Sequence, residues 1–327
     1  MTESGVVYLH CLTPLHNGAG QGLGSIDRPI LREVTTRNPY VQSSTLKGAL
    51  RAEAVARLKK AGETSPQANK ALLALFGKGE TDGNLGCLTL TDASVLLFPV
   101  RSLAGTFAWI TSFLPLANFL RLRRLSFPTN ALTQATSDLL ASGLPSLGRG
   151  AACGSEGEAG GHSWNDTPLR LDGTGHYILE GLVLRPQNQA ARQIVGRLAA
   201  ELSLLLFPDV HWQSFFRERL LFLNGEDYSH LLLHATPIEA NIKIEPTGVT
   251  ADGSLRYTEF LPAETVLYSY FQIGPPGQQA TPQEVGTLFQ DAVGDLPQVG
   301  ADESKGKGLV HAVVEPTRAA GAANAER

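Results

Sequence analysis

The run Val6-Val7-Tyr8-Leu9-His10-Cys11-Leu12-Thr13 is apolar and rich in β-branched and aromatic residues, and Pro14 ends it, so it reads as an opening strand. A glycine-dense loop follows, His16-Asn17-Gly18-Ala19-Gly20-Gln21-Gly22-Leu23-Gly24, and it runs into Ser25-Ile26-Asp27-Arg28-Pro29. Glycines at alternate positions allow close approach to a ligand. Their spacing fits neither GxGxxG nor the Walker pattern, which argues against a dinucleotide or NTP site. After Tyr40-Val41 comes Ser43-Ser44-Thr45-Leu46-Lys47-Gly48-Ala49-Leu50-Arg51. Its hydroxyl residues are natural N-caps, and Leu46, Leu50, Val55 and Leu58 supply an apolar face for a helix to about Lys60. Lys47 and Gly48 then lie in the first turn, where unpaired N–H groups and the helix dipole offer a phosphate seat. A routine capped helix with a solvated lysine fits the same residues.

Further along, Thr106–Leu125 reads as helical with Pro115 kinking or dividing it, and Arg121, Arg123 and Arg124 cluster near its end. These arginines suit either a phosphate or the helix dipole. Residues 142–175, with Cys153, His162 and Trp164 among Gly and Ser, read as a long surface insertion or loop. Gln187–Phe207 is helical again. Ala240–Ile244 and Leu255–Phe260 alternate like the two strands of a hairpin over 240–260. Val266–Ile273 is a strand, Pro282–Val293 a helix, and Lys305-Gly306-Lys307-Gly308 leads into the strand Leu309–Val314. The tail, 316–327, reads as disordered. This order predicts a single α+β domain over 1–315, a ferredoxin-like sheet with large insertions.

The 327 residues carry a net charge of -4, from 27 Lys+Arg and 31 Asp+Glu, and 43% of them are hydrophobic, which excludes wholesale disorder and a basic histone-like binder. Position matters more than the total. Between Arg28 and Arg51 stand Arg28, Arg32, Arg37, Lys47 and Arg51 against Glu33 alone, and Ala93–Ser137 holds no acid. Tyr257–Ser304 holds no Lys or Arg and seven acids: Glu259, Glu264, Glu284, Asp291, Asp295, Asp302 and Glu303. Such segregation suits a polyanion groove, or an ordinary mixed surface once folded. Cys11, Cys87 and Cys153 lack CxxC pairing and read as core thiols. With no basic-flanked signal segment and no apolar run of about 18 residues, a cytoplasmic protein without a membrane partner is expected.

Leu12–Gly20 with Gly24-Ser25-Ile26-Asp27-Arg28-Pro29-Ile30-Leu31-Arg32-Glu33 resembles the RAMP proteins of type III CRISPR effector complexes, and Ser44–Arg51 resembles the next motif of that superfamily. Gly105–Ser112 and Leu255–Leu267 look like the fourth-subunit family of the Cmr (type III-B) module, and Lys305–Val310 like the superfamily's C-terminal glycine loop. The resemblance implies an RRM-derived palm with a β-hairpin thumb. It implies a filament of copies along a guide crRNA, other Cmr/RAMP subunits as partners, and endoribonuclease activity on target single-stranded RNA paired to the guide. The family's motif aspartate falls on Asp27, its guide-contacting lysine on Lys47, and the histidine before the glycine loop on His16. Here the family often has Gly where Ser43 stands, and consecutive acids where this chain reads Tyr257-Thr258-Glu259.

RNA cleavage needs a placed nucleophile, charge stabilisation at the phosphorane and a protonated leaving group. One carboxylate suits a hydrated Mg²⁺ or Mn²⁺ shared with a phosphate oxygen, bound weakly without RNA, so Asp27 is the candidate catalytic residue and metal ligand. Without the resemblance, a loop carboxylate paired with Arg28 or Arg32 is the plainer reading. His16 is either a general acid or an orienter of the loop. Ser43, Ser44, Lys47, Gly48, Arg51, Lys305 and Lys307 are the candidate RNA-backbone contacts. A non-catalytic filament subunit that only binds RNA is the alternative function.

Overall fold

The fold is described by a computed structural model covering residues 3–20, 22, 24–62, 65–78, 85–154, 168–171, 175–246, 248–278, 280–294, 296 and 298–316. Gln21, Leu23, His162, Trp164, Asp295 and the tail beyond Pro316 lie outside the described residues. The chain opens with β1 (Glu3–Cys11), crosses the glycine loop to the two-residue β2 (Tyr40–Val41), and enters α1 (Ser43–Lys60) and α2 (Pro66–Phe76). Next come β3 (Leu88–Leu90), β4 (Ala93–Arg101) and β5 (Phe107–Thr111), then α3 (Phe113–Arg123) and α4 (Ala131–Ala141). β6 (Ala151–Gly154), β7 (Tyr177–Leu179) and β8 (Leu182–Pro186) precede α5 (Gln189–Leu206), α6 (Val210–Arg217), β9 (Leu220–Leu223) and α7 (Gly225–His234). The hairpin of β10 (Ile238–Asn241) and β11 (Arg256–Glu259) leads to β12 (Val266–Ile273), α8 (Pro282–Gly294) and β13 (Val310–Pro316).

Four strands form the central sheet in the order β13-β1-β12-β4, every neighbour antiparallel. With α1 linking β1 to β4 and α8 linking β12 to β13, this is the ferredoxin-like arrangement the element order predicts. Beyond β4 the sheet continues through β5, β9, β6, β8 and β7, and residues between β4 and β12 supply all of that extension. β6 lies within 142–175, so part of a segment that reads as a loop is a buried strand, paired with β9 and β8.

Strand alternation divides the core. Val7, Leu9 and Cys11 of β1 face one side, with Leu46, Leu50 and Ala54 of α1 and Val285 and Phe289 of α8. Val6 and Tyr8 face the other, with Trp109, Phe119, Leu198 and Phe216. Each fully buried Leu or Phe contributes about 1.5–3 kcal/mol, so burial on both faces fixes the strand register. Cys11 and Cys153 are buried, Cys87 half-buried, and none of the three forms a disulfide among the described residues. Among the described residues no helix is long and apolar enough to cross a membrane.

Two local expectations need correction. Phe107–Thr111 is strand β5 and not helix, because its aromatic and β-branched side chains pair it antiparallel with β4 and parallel with β9. Pro115 does not kink α3: Ser112 is the N-cap, so the proline falls in the first turn, where a missing N–H costs nothing. Arg123 stands in the last turn of α3, but its guanidinium is spent inside the fold and is not open to a phosphate. It is 1% exposed, and it donates to Glu315 at 2.5 and 2.7 Å and to the Tyr8 hydroxyl at 2.5 Å, tying α3 to β13 and β1. Arg123→Leu, which strands the Glu315 carboxylate, is expected to lose about 3 kcal/mol in denaturant unfolding; an unchanged midpoint would show that the bridge is dispensable.

Candidate functional site

The glycine loop, the β10–β11 hairpin and the loop before β13 converge along β11. Its free edge is taken by the segment after the glycines: Arg28 pairs in parallel with Thr258, its N–H donating to the Tyr257 carbonyl at 3.0 Å and its carbonyl accepting from the Glu259 N–H at 3.0 Å. One residue earlier, the Asp27 carboxylate accepts the Tyr257 N–H at 2.8 Å through Oδ2. Asp27 is half-buried, and Oδ1 makes no hydrogen bond among the described residues. The loop folds back on this segment, with Gly22 N–H on the Asp27 carbonyl and Ala19 N–H on the Pro29 carbonyl, both at 2.9 Å. A Cβ on Gly22 would lie 2.3 Å from the Ile26 carbonyl oxygen, so the fold-back demands glycine there.

His16 is 3% exposed. Its Nδ1 lies 2.8 Å from the Glu259 carbonyl and therefore carries the proton, while Nε2 faces Gly18, where a Cβ would come within 2.7 Å. The ring packs edge-on against Phe260 at 5.6 Å. Burial lowers the His16 pKa below its ordinary 6.5. A neutral imidazole with Nδ1–H committed to a carbonyl is suited to fixing the loop on β11.

The loop before β13 forms the third side. The Ala301 N–H donates to the His16 carbonyl at 2.9 Å. Asp302 pairs with Arg28 at 3.1 Å and with Lys305 at 3.7 Å, and Lys305 also reaches Asn241 at 3.3 Å. Lys307 pairs with Glu239 of β10 and sits 4.6 Å over the Phe260 ring. Both lysines that read as RNA contacts therefore hold the hairpin in place. Glu259, 4% exposed, accepts from Arg32 at 2.6 Å, Thr236 at 2.7 Å and the Ile30 N–H at 3.1 Å. Sequence placed Glu259 and Asp302 in the acidic block and passed over Glu239; partnership in the fold gives all three positions.

Asn17 joins this cluster to α1, accepting from Thr45 at 3.2 Å and donating to the Tyr40 carbonyl at 3.3 Å. The expected hydroxyl cap is absent: Gln42 is the N-cap and gives no side-chain hydrogen bond, while Asp92 accepts the Ser43 N–H at 2.8 Å. Ser43 thus already has an anionic partner, and Ser44 is exposed. Lys47 donates to the Leu88 carbonyl at 2.8 Å, and burial lowers its pKa. Gly48 is exposed, with open space where a Cβ would stand. Arg51 is half-buried and makes no hydrogen bond or ion pair among the described residues. Among those residues, no three His, Cys, Asp or Glu side chains gather as a metal cluster.

The RAMP superfamily profile matches residues 8–311. The CRISPR system Cmr endoribonuclease Cmr4 of Pyrococcus furiosus is 29% identical over 313 residues, 93% of each chain. In fold, the chain is similar to oligomeric Cmr4 from Pyrococcus furiosus, with a TM-score of 0.62, 22% identity, and coverage of 97% of this chain and 99% of that one. It is also similar to a chain of the type III-B Cmr-beta complex bound to cognate target RNA, with a TM-score of 0.66, 19% identity, and coverage of 96% and 97%.

Because the folded pKa of His16 lies below its unfolded 6.5, the stability linked to it is complete above pH 6.5. Below that pH the unfolded chain takes the proton first, and this stability is lost. His311 is lowered too, by burial and then by His10, and adds the same sign. His16→Gln is therefore expected to lose less stability than wild type between about pH 7.5 and about pH 5.5 in denaturant titrations; equal losses would mean that His16 is not held neutral.

Proposed function

The chain belongs to the RAMP superfamily, and on that premise we propose that it is the guide-RNA-binding backbone subunit of a type III-B CRISPR ribonucleoprotein and the subunit that cuts target RNA through Asp27. The observation that carries this reading is the Asp27 carboxylate, with one oxygen fixed on the Tyr257 N–H and the other open, next to Arg28. The 29% identity to an endoribonuclease over 93% of the chain supports the same reaction.

In RNA the ribose 2′-OH already stands beside its own phosphate, so the protein has mainly to hold geometry and offset charge. A single half-exposed carboxylate with one free oxygen fits a divalent ion shared with RNA and held weakly without it. Asp27 would hold Mg²⁺ or Mn²⁺, which would supply charge neutralisation at the phosphorane. His16 keeps the loop seated on β11, a positioning role in preference to that of general acid, since its proton is on the buried carbonyl side. Arg28, paired with Asp302 and partly exposed, can exchange that carboxylate for a phosphate.

At the α1 N-terminus, Ser44, Gly48 and Arg51 are open to a guide strand, Lys47 lies between them, and Ser43 borders the seat with its N–H capped. Lys305 and Lys307 offer charge on the hairpin side. These are backbone contacts, so base pairing between guide and target selects the substrate. Successive copies along the guide and other Cmr subunits complete the assembly.

Asp27→Asn in the assembled complex is expected to abolish cleavage, by at least about 10²-fold, with guide binding unchanged. Normal cutting would leave the subunit a non-catalytic RNA-binding element. Lys47→Ala is expected to weaken guide binding about tenfold irrespective of sequence and to flatten its salt dependence; identical affinity across several salt concentrations would remove Lys47 from the guide path.

A further inference from the structure

Glu259 is a buried carboxylate on the strand that carries the Asp27 contact, yet it points away from the open side. Its two oxygens are committed: Oε1 accepts from Arg32 at 2.6 Å and Thr236 at 2.7 Å, and Oε2 accepts the Ile30 N–H at 3.1 Å. Its backbone is committed as well, the N–H to the Arg28 carbonyl and the carbonyl oxygen to His16 Nδ1. One residue therefore grips the Asp27–Ile30 segment at two points C-terminal to Asp27, at Arg28 and Ile30, and the glycine loop at His16. Arg32 extends the grip, donating to the carbonyls of Leu232 at the end of α7 and Arg37 in the following turn.

We propose that Glu259 is a positioning residue for the cleavage reaction, acting through the placement of the Asp27 carboxylate; this rests on Asp27 being the catalytic residue. The backbone bonds of Glu259 hold the register of the 27–30 segment on β11, and they do so with any side chain at 259. Its carboxylate adds what a backbone cannot: it pulls Ile30, three residues beyond Asp27, against the Arg32 guanidinium. The segment is then pinned at its far end, and Pro29 between the pins has no N–H to lend. With that pin gone, the segment keeps its backbone bonds to β11 and to the glycine loop but loses the one at Ile30, and small displacements at a reacting centre cost about 10²-fold in rate.

The test is a double-mutant cycle in the assembled guide-loaded complex, reading single-turnover cleavage and the Mn²⁺ concentration giving half the maximal rate. Glu259→Gln keeps the shape but sets an amide NH₂ against Arg32 or Ile30. It is expected to slow cleavage about tenfold and to raise the Mn²⁺ requirement several-fold, with guide and target affinity unchanged. Thr236→Val, a milder loss of one donor to the same carboxylate, should act in the same direction by about threefold. Asp27→Asn/Glu259→Gln should be no slower than Asp27→Asn alone. A Glu259→Gln complex that cleaves at the wild-type rate, or whose loss is matched by lost guide binding with no change in Mn²⁺ requirement, overturns the proposal. If Asp27→Asn itself cuts normally, it is the underlying catalytic reading that fails.

Discussion

The short parallel pairing of Arg28 with Thr258 brings together parts of the chain about 230 residues apart. β10 alone is a marginal partner for a four-residue strand. By lying along the other edge of β11, the segment after the glycine loop turns a hairpin into three paired lines of backbone, and the side chain of Asp27 caps the Tyr257 N–H. The loop itself closes because Gly18 and Gly22 have no Cβ to collide with His16 and the Ile26 carbonyl. Everything proposed about chemistry depends on that pairing, since it converts a flexible run of glycines into a fixed carboxylate.

The segregated charges of the sequence find their use inside the fold. Arg28 and Arg32 from the basic N-terminal stretch, and Arg57 from the last turn of α1, meet Asp302, Glu259 and Asp291 from the acidic block at 3.1, 2.6 and 3.2 Å. His10 likewise meets Glu264 at 2.7 Å. The acidic block is thus substantially spent on neutralising its own chain. These pairs differ in weight. Arg57–Asp291 is well exposed on both sides and contributes little, whereas Arg32–Glu259 is buried and hydrogen-bonded throughout, so that removing one partner would strand the other.

Three of the four central strands were legible because their signals are local, while β4 drew no strand reading. Apolar β-branched runs mark β1, β12 and β13, and Leu46, Leu50 and Leu58 mark the inner face of α1, whose buried side is completed by Ala54 and not by Val55. β5 was misread because Phe107–Thr111 runs directly into an apolar helix, and its pairing with β4 and with β9, more than a hundred residues on, distinguishes the two. In the site, Asp27, His16 and Lys47 stood out through motif resemblance. The burial of His16, the capping of Ser43 by Asp92 and the binding of Lys307 to Glu239 were invisible, because each depends on which distant residue arrives alongside.

On the proposed function, strand β11 presents Asp27 to the backbone of RNA. The most direct test is a structure of the assembled complex with guide and a target carrying a 2′-deoxy substitution at the cleavage position. Asp27 Oδ1 is expected within about 6 Å of that phosphate, the reach of one carboxylate through a hydrated divalent ion, with the Tyr257 N–H still on Oδ2. A target phosphate lying beyond about 10 Å from Asp27, with another carboxylate beside it, would contradict the account.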